Sequence, residues 1–390
     1  MKILIVHNNY GKYSGEEAVV DKMHDMFRNH GYEVKYYRLT TEGQRNTITG
    51  KIRGFFCGFY SPKGIKGLRQ VLKAERPDVV NVHNLYPFIS PAALFECKKL
   101  NIPVIMSVHN FRLICPTGLF SRNGVACEYC AEHKNEWGCV KFNCENSMFK
   151  SIGYASRNWF ARKIGAYSRC VDYFACITNF QRKKLISAGF SPDKISVIPN
   201  SIDALSMPKI VEGTYVAFCG RISSEKGVDL IIEVAKRHPE ISFKFAGAIR
   251  ESSLVENKPK NVELLGYLTG DQLKRFYHES AFVLMASRCY EGFPVTILEA
   301  AQLGKTTLAP NHGGFTEIIG EGDNAIGRLF KPADVNDLET QLIYLWSHPE
   351  IRKSLAEKAY RKLTTNYSTE VVFNQWKNLI HNVIDKKEVR

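Results

Sequence analysis

The sequence contains no long hydrophobic run. Its apolar start, MKILIVHNNYG, is too short for a signal peptide, and no later segment is long enough to span a bilayer. We therefore expect a cytoplasmic protein, in a compartment where thiols stay reduced. The eleven cysteines are an odd number, which argues against a complete disulfide framework. Internal repeats and low-complexity segments are also missing, and 44% hydrophobic and 24% charged residues are typical of a soluble globular protein.

Acidic residues are scarce in the first half of the chain only. Residues 1–205 hold 29 Lys and Arg against 16 Asp and Glu, whereas the remainder holds 24 against 23. This asymmetry predicts an anionic partner for the first half: a membrane surface, a nucleic acid or a phosphorylated substrate. The alternative is a solvated basic surface with no dedicated partner. No recognised nucleic-acid-binding motif accompanies the charge, so we expect no nucleic-acid partner.

The chain is too long for one ordinary core, since it has 390 residues, so two domains are expected. Short apolar runs alternate with helical segments in the first half, the pattern pauses at 201–212, and it restarts with TYVAFCGRI. Such alternation is typical of parallel sheets covered by helices on both faces. The predicted fold class is α/β, with two Rossmann-like, doubly wound domains facing across a cleft where a ligand binds.

Two carboxylates interrupt an otherwise apolar or small stretch, SRCYEGFPVTILEAAQLGK, at Glu291 and Glu299. The stretch is interpreted as the end of a strand, a turn and a helix that begins near Pro294 and ends at Gly304. Gly292 and the start of the helix suit a phosphate, while ionised glutamates accept hydrogen bonds from sugar hydroxyls. The alternative is one helix-capping glutamate and one exposed glutamate.

A matching element, CGRISSEKGVDLIIEVAK, carries Arg221 and Lys226 where a strand leads into a helix of the same domain. Two cations in this connection would neutralise a diphosphate. The alternative is an ordinary surface turn.

These segments, together with four others, resemble glycosyltransferase family 4, the retaining nucleotide-sugar transferases of the two-lobed GT-B fold. The others are HNNYGKYSGEEAVV, SVHNFRLIC, IPNSID and PNHGGFTEII. The resemblance implies that residues 1–205 form an acceptor-binding domain and residues 206–368 a domain for the nucleotide-sugar donor. A final helix, 369–390, would return to the first domain.

The resemblance also implies roles for single residues. In the donor domain, Arg221 and Lys226 would hold the diphosphate and Glu299 the ribose. Glu291 would contact hydroxyls of the transferred sugar, with the backbone amides of Gly292, Phe293 and Val295 nearby.

The implied catalytic residues are Glu291 and His109, the latter reaching the donor sugar and its diphosphate. From the residues alone, His109 is equally well a packed or solvent-exposed histidine. Gly15 matches the family's glycine loop near the phosphates, although Ser14 replaces the first glycine of the usual pair. A D-x-D motif of the kind that binds metal in other transferases is missing, so no catalytic metal is expected.

The segment at about 115–147 is rich in cysteine and includes CEYC, a spacing that suits a tetrahedral structural zinc. It resembles an insertion found in one branch of the family, which implies Cys115, Cys127, Cys130 and Cys144 as ligands, with Cys139 as an alternative. Reduced free thiols and a redox pair are the competing interpretations.

Two further segments, KIRGFFCGFYSPKGIKGLRQVLK and MFKSIGYASRNWFARKIGAYSR, mix basic and aromatic residues. Such segments lie on anionic bilayers or, alternatively, are amphipathic helices packed on the domain.

We therefore predict a retaining hexosyltransferase that uses a nucleotide sugar such as a UDP-sugar. It would be peripheral on the inner face of the cytoplasmic membrane and would extend a lipid-linked or saccharide acceptor of a cell-surface polysaccharide or lipopolysaccharide O-antigen. Two other functions remain as alternatives: a nucleotide-sugar epimerase or hydrolase of the same fold, and a basic nucleic-acid-binding protein.

Overall fold

The computed structural model describes residues 1–10, 14–43 and 47–388. Its strands are β1 (Lys2–Asn9), β2 (Glu33–Thr40), β3 (Val79–Val82), β4 (Val104–Val108), β5 (Ser121–Arg122), β6 (Val125–Ala126), β7 (Tyr173–Cys176), β8 (Ile195–Val197), β9 (Val216–Cys219), β10 (Phe243–Ala246), β11 (Val262–Gly266), β12 (Phe282–Leu284), β13 (Thr307–Pro310) and β14 (Gly327–Phe330).

The helices cover about half of the remaining chain. They are α1 (Gly15–Asn29), α2 (Ile48–Phe59), α3 (Pro62–Glu75), α4 (Leu94–Lys99), α5 (Tyr129–Glu132), α6 (Gly138–Lys141), α7 (Met148–Lys163), α8 (Ala166–Cys170), α9 (Asn179–Ser187), α10 (Val228–Arg237), α11 (Gly270–His278), α12 (Val295–Gln302), α13 (Gly314–Ile319), α14 (Val335–Ser347), α15 (Pro349–Lys362) and α16 (Thr369–Glu388).

Twelve of the strands form two six-stranded sheets, with orders β2-β1-β3-β4-β7-β8 and β11-β10-β9-β12-β13-β14. The strand pairs in both sheets are parallel. Several strands are buried along their length, which explains why their sequences are nearly continuous apolar runs. The predicted class, α/β with two doubly wound parallel sheets, is confirmed. The remaining pair, β5 and β6, forms a small antiparallel hairpin.

The chain divides into two compact units. The first contains Met1–Leu119, Glu128–Pro199 and Phe373–Arg390, and the second contains Phe120–Cys127 and Asn200–Val372. The change of unit at 199/200 lies six residues before the predicted boundary at 205. The β5–β6 hairpin, which the sequence analysis assigned to the first domain, is grouped with the second unit.

Most of the final helix, α16, packs within the first unit. The ring of Phe373 stacks on His30 with centroids 3.6 Å apart, and Trp376 meets Phe27 edge-on at 6.0 Å. Near the other end, Lys387 Nζ lies 3.1 Å from Asp172 Oδ2. No helix in the described part of the chain is both long and apolar enough to cross a membrane.

Candidate active site

The order of the second sheet reverses between β9 and β12, because β10 and β11 lie to one side and β13 and β14 to the other. Ligands of open α/β sheets bind at such a reversal, beyond the carboxyl ends of the strands. The loop after β9 carries Arg221 and Lys226, and the loop after β12 carries Glu291. The two predicted phosphate- and sugar-binding segments therefore meet at this edge of the sheet.

At this edge, Lys226 Nζ donates a hydrogen bond to Glu291 Oε1, and the Ser287 hydroxyl donates to the same oxygen at 2.9 Å. Burial lowers the pKa of Lys226, but attraction to Glu291 outweighs burial and the pKa is raised. For the carboxyl of Glu291, burial acts in the opposite direction and raises the pKa. Lys226, Ser287 and Arg221 together outweigh burial and hold the pKa of Glu291 below its usual range. Both groups are therefore charged at neutral pH.

Two glycines allow the backbone around this pair to pack closely. Gly227 has φ 66°, and a Cβ built there would lie 2.0 Å from the carbonyl oxygen of Ala286, beyond β12. Gly314 donates its N–H to the Glu291 carbonyl at 2.8 Å, and a Cβ there would lie 2.4 Å from Gly292 O. Any larger residue would push the two loops apart, so the glycines set the position of Glu291.

The second predicted cation, Arg221, is half-exposed and pairs with Glu225 at 2.5 Å. It is also close enough to Glu291 to contribute to the lowered pKa of that carboxyl. Both cations thus have carboxylate partners within the second unit. An incoming diphosphate would compete for these two cations and release Glu291 to accept hydrogen bonds from sugar hydroxyls.

The other predicted donor residues of the second unit lie in α12 or just before it. Glu299 is in the second turn and accepts a hydrogen bond from the buried Tyr277 hydroxyl at 2.8 Å. Phe293 is buried and packs on Tyr367 with ring centroids 5.5 Å apart, so its ring is part of the packing of the unit. Val295 begins the helix, and no side chain caps this end, which leaves first-turn N–H groups for an anion.

In the first unit, a His-Asn pair occurs at the carboxyl end of three neighbouring strands. His7 lies in β1, His83 follows β3 and His109 follows β4, and these strands are adjacent in the sheet. His83 Nδ1 and His109 Nε2 are 2.6 Å apart, with the rings stacked at 5.0 Å. Burial lowers the pKa of all three histidines, so they are neutral at pH 7.

The predicted glycine loop leads into α1, and its residues 11–13 lie outside the described part of the structure. Gly15 is the first residue of the helix, and Ser14 is its N-cap, accepting from Glu17 N at 3.3 Å. Glu17 in turn accepts from Tyr10 N at 3.3 Å. The serine that replaces the family's first glycine therefore caps the helix through its hydroxyl.

Two family models match the chain in succession: Glycosyltransferase Family 4 over residues 13–204 and Glycosyl transferases group 1 over residues 206–362. The chain belongs to glycosyltransferase family 4. The boundary between the matches falls near the point where the chain changes from one unit to the other.

This family 4 glycosyltransferase is similar to several known proteins. It is 24% identical over 307 residues to an uncharacterized glycosyltransferase of Methanocaldococcus jannaschii, covering 77% of this chain and 74% of that protein. It is 26% identical over 192 residues to the lipopolysaccharide 1,2-N-acetylglucosaminetransferase of Salmonella typhimurium, and the match covers 45% of this chain and 50% of that protein. Its fold matches that of Anabaena HepE in complex with UDP-glucose, with a TM-score of 0.67 and 15% identity. The match covers 98% of this chain and 100% of that one. The match supports the GT-B fold.

The structure places none of the eleven cysteines, all of which lie among the described residues, in a disulfide. Cys127 is grouped with the second unit, whereas Cys115, Cys130, Cys139 and Cys144 belong to the first. A hydrogen bond with Cys144, together with burial, raises the pKa of Cys139. Among residues 1–10, 14–43 and 47–388, no group of three or more His, Cys, Asp or Glu is arranged to hold a metal ion. Zinc binding stays a prediction, with Cys139, the alternative ligand, beside Cys144.

The sequence analysis missed several polar residues that share these sites. Ser287 and Tyr277 hold the two predicted glutamates, while His83, Glu16 and Arg112 lie around His109. A signal for one of them was present, because the sequence V-H-N occurs after β3 and again after β4. The other four residues belong to no repeated sequence pattern, and only the contacts within each folded unit show that they share these sites.

Proposed function

We propose that this glycosyltransferase moves a hexosyl group, with retention of configuration, from a UDP-sugar or another nucleotide sugar to a lipid-linked saccharide acceptor. The observation that carries the proposal is the cluster of Lys226, Glu291 and Ser287, with Arg221 nearby, at the point where the second sheet reverses. Cations for a diphosphate and carboxylates for sugar hydroxyls stand there side by side.

The proposed donor site needs little more than positioning and charge. A nucleoside diphosphate held by Arg221 and Lys226 leaves as an anion, and its negative charge grows as the bond to the sugar breaks. Fixed cations that meet this charge lower the barrier without rearranging solvent. The UDP-glucose complex of Anabaena HepE, a protein of the same fold, supports a UDP-sugar as donor.

Binding of the donor is best tested with the purified full chain. Melting temperature is measured against UDP-, GDP- and other nucleotide sugars, because a ligand that binds only the folded state raises it. We expect one class of nucleotide sugar to raise the melting temperature of the wild type but not that of Lys226→Ala. If no nucleotide sugar stabilises the protein, the proposed function is wrong. Turnover of the nucleotide sugar without any acceptor would favour the epimerase or hydrolase alternative.

A lipid-linked acceptor is supported by an exposed apolar surface on the first unit, which we call the α2–α7 patch. The two basic and aromatic segments pack against each other there: Phe55 stacks on Phe149 at 5.0 Å, and a Cβ on Gly153 would lie 2.8 Å from Phe55. Around this contact, several large apolar side chains are exposed: Ile52, Phe56, Tyr60, Met148, Phe149, Ile152 and Trp159. The exposed cations Lys51, Arg53, Lys150, Arg162 and Lys163 belong to the same two helices.

This combination favours a peripheral position on an anionic membrane, because aromatic side chains insert at the interface and cations meet the headgroups. The Salmonella relative, which acts on lipopolysaccharide by its name, supports an acceptor at a membrane. The inner face of the cytoplasmic membrane is the location that we propose.

Flotation with vesicles tests this part of the proposal. We expect recovery with phosphatidylglycerol vesicles to exceed recovery with phosphatidylcholine vesicles, and the double variant Phe56→Ser/Phe149→Ser to lose most of it. Tyr267→Ser, which removes an aromatic residue that is 72% exposed on the second unit, is the matched control and should float like the wild type. Equal recovery with both kinds of vesicle would contradict the membrane proposal.

A further inference from the structure

A recess in the first unit lies beside the neutral His83–His109 pair. The recess is partly open to solvent, and its lining includes Glu16, Asn84, Tyr86, Arg112 and Tyr167. It stands at the carboxyl ends of β3 and β4, where a ligand of this sheet would bind. The chemistry of its lining indicates what kind of ligand it accepts.

One guanidinium lines the recess directly. Arg112 Nη1 donates to Asn84 Oδ1 at 3.0 Å and to the Tyr10 hydroxyl at 3.3 Å. Its Nε is buried and has no hydrogen-bond partner among the described residues. Burial lowers the pKa of Arg112, but Tyr10 and Glu16 outweigh it, so the group keeps its charge. No carboxylate of the described residues forms an ion pair with it.

A second guanidinium lies behind the aromatic wall of the recess. Arg157 is only 9% exposed, and its guanidinium carbon stands 4.4 Å from the ring centroid of Tyr86 and 3.8 Å from that of Tyr154. It donates through Nη2 to Pro116 O at 3.2 Å, while its buried Nε has no partner in the described part of the chain. Burial and the charge of Arg112 lower the pKa of Arg157.

Arg157 is buried and Arg112 is half-buried, and neither has a carboxylate within ion-pair distance among the described residues. A buried cation that forms no such pair is costly, because it has lost hydration that is only partly replaced. Burial of the Glu145 carboxyl raises its pKa and outweighs Arg157 and Arg112, which both lower it. Glu16 also lines the recess, but its carboxylate already accepts from the Tyr10 hydroxyl at 2.8 Å and from Asn110 Nδ2 at 3.3 Å.

We propose that the recess binds an oxyanion carried by the acceptor, a phosphate or a sugar carboxylate. Arg112 donates hydrogen bonds to this oxyanion, and Arg157, behind Tyr86, contributes the second positive charge. Glu16 then accepts a hydrogen bond from a neighbouring hydroxyl of the same acceptor. The inference rests on the proposed function in that it takes the first unit as the acceptor-binding half of a transferase.

The test measures binding by calorimetry to the full chain in the presence of saturating UDP, which occupies the donor site. The probes are inorganic phosphate, methyl glucuronide and the neutral methyl glucoside. We expect wild type to bind at least one oxyanion at least tenfold more tightly than methyl glucoside. Arg112→Gln should weaken that binding at least tenfold, and Arg112→Lys should weaken it less, because the charge remains. Arg28→Gln, an exposed arginine of the same unit, should change nothing.

Tighter binding of phosphate assigns a phosphorylated acceptor, and tighter binding of the glucuronide assigns an acidic sugar. The proposal is overturned if wild type binds neither oxyanion, or if Arg112→Gln and Arg112→Lys bind them as wild type does. Oxyanion binding by the wild type tests the proposal even if a variant fails to fold. The affinity for UDP-sugars, measured on the same samples, separates the two ideas: its absence contradicts the proposed function, whereas its presence without oxyanion binding contradicts only this inference.

Discussion

Replacing Lys226 by alanine removes the cation that contacts Glu291 in the proposed donor site. Both side chains are about one-fifth exposed, at 19% and 21%. In the alanine variant, the hydroxyl of Ser287 still donates a hydrogen bond to Glu291 at 2.9 Å. A half-compensated carboxylate then faces the place where the diphosphate of the donor would lie.

The size of the effect follows from these contacts. Removing one partner of a fully buried ion pair costs about 3–5 kcal/mol, and partial exposure reduces this to roughly 1–3 kcal/mol of stability. Removing one fixed group that stabilises developing charge lowers kcat by about 10²–10³. Lys226→Ala should therefore stay folded but lose transfer almost completely, and Glu291→Ala should do the same.

The assay is release of UDP, or of another nucleoside diphosphate, with saturating donor and acceptor, alongside the denaturation midpoint. Lys236→Ala, an exposed lysine on α10 of the same unit, is the control and should match the wild type. The double variant Lys226→Ala/Glu291→Gln should recover part of the lost stability, because it removes the unpaired charge. A Lys226→Ala enzyme within threefold of wild-type activity would refute the assigned role in diphosphate binding.

Three further predictions concern other residues of the two sites. Tyr277→Phe removes the hydrogen bond to Glu299 and should raise the KM for the donor about tenfold with kcat unchanged, as steady-state kinetics will show; an unchanged KM would contradict the ribose role. His109→Asn should lower kcat by at least about 100-fold with little change in the melting temperature, and activity near that of wild type would exclude a catalytic role. Burial lowers the pKa of His7 to about 4, below its unfolded value of about 6.5, so the unfolded chain takes up a proton first as the pH falls. The free energy of unfolding should therefore drop by about 2 kcal/mol from this group between pH 7 and 5, and urea denaturation of His7→Met should lack that part of the drop.

Much of the proposed donor site could be predicted from the sequence, because its residues lie in local strand-turn-helix segments. The spacing of Arg221 and Lys226 after one strand, and of Glu291 and Glu299 around one helix, places each pair on a single connection. The apolar strands were recognisable for a similar reason, since a strand covered on both faces must be apolar throughout. What the sequence by itself determined was the class of the fold and the chemistry at the ends of two of its strands.

Only the tertiary structure decided which separate segments meet. Strand order brings His83 beside His109, and helix packing joins the two aromatic segments of the α2–α7 patch. Packing likewise brings the half-buried Arg112 close enough to the buried Arg157 to lower its pKa, although 45 positions separate them in the sequence. Such neighbours carry no local signal, because burial and charge pairing depend on contacts between residues far apart in the chain.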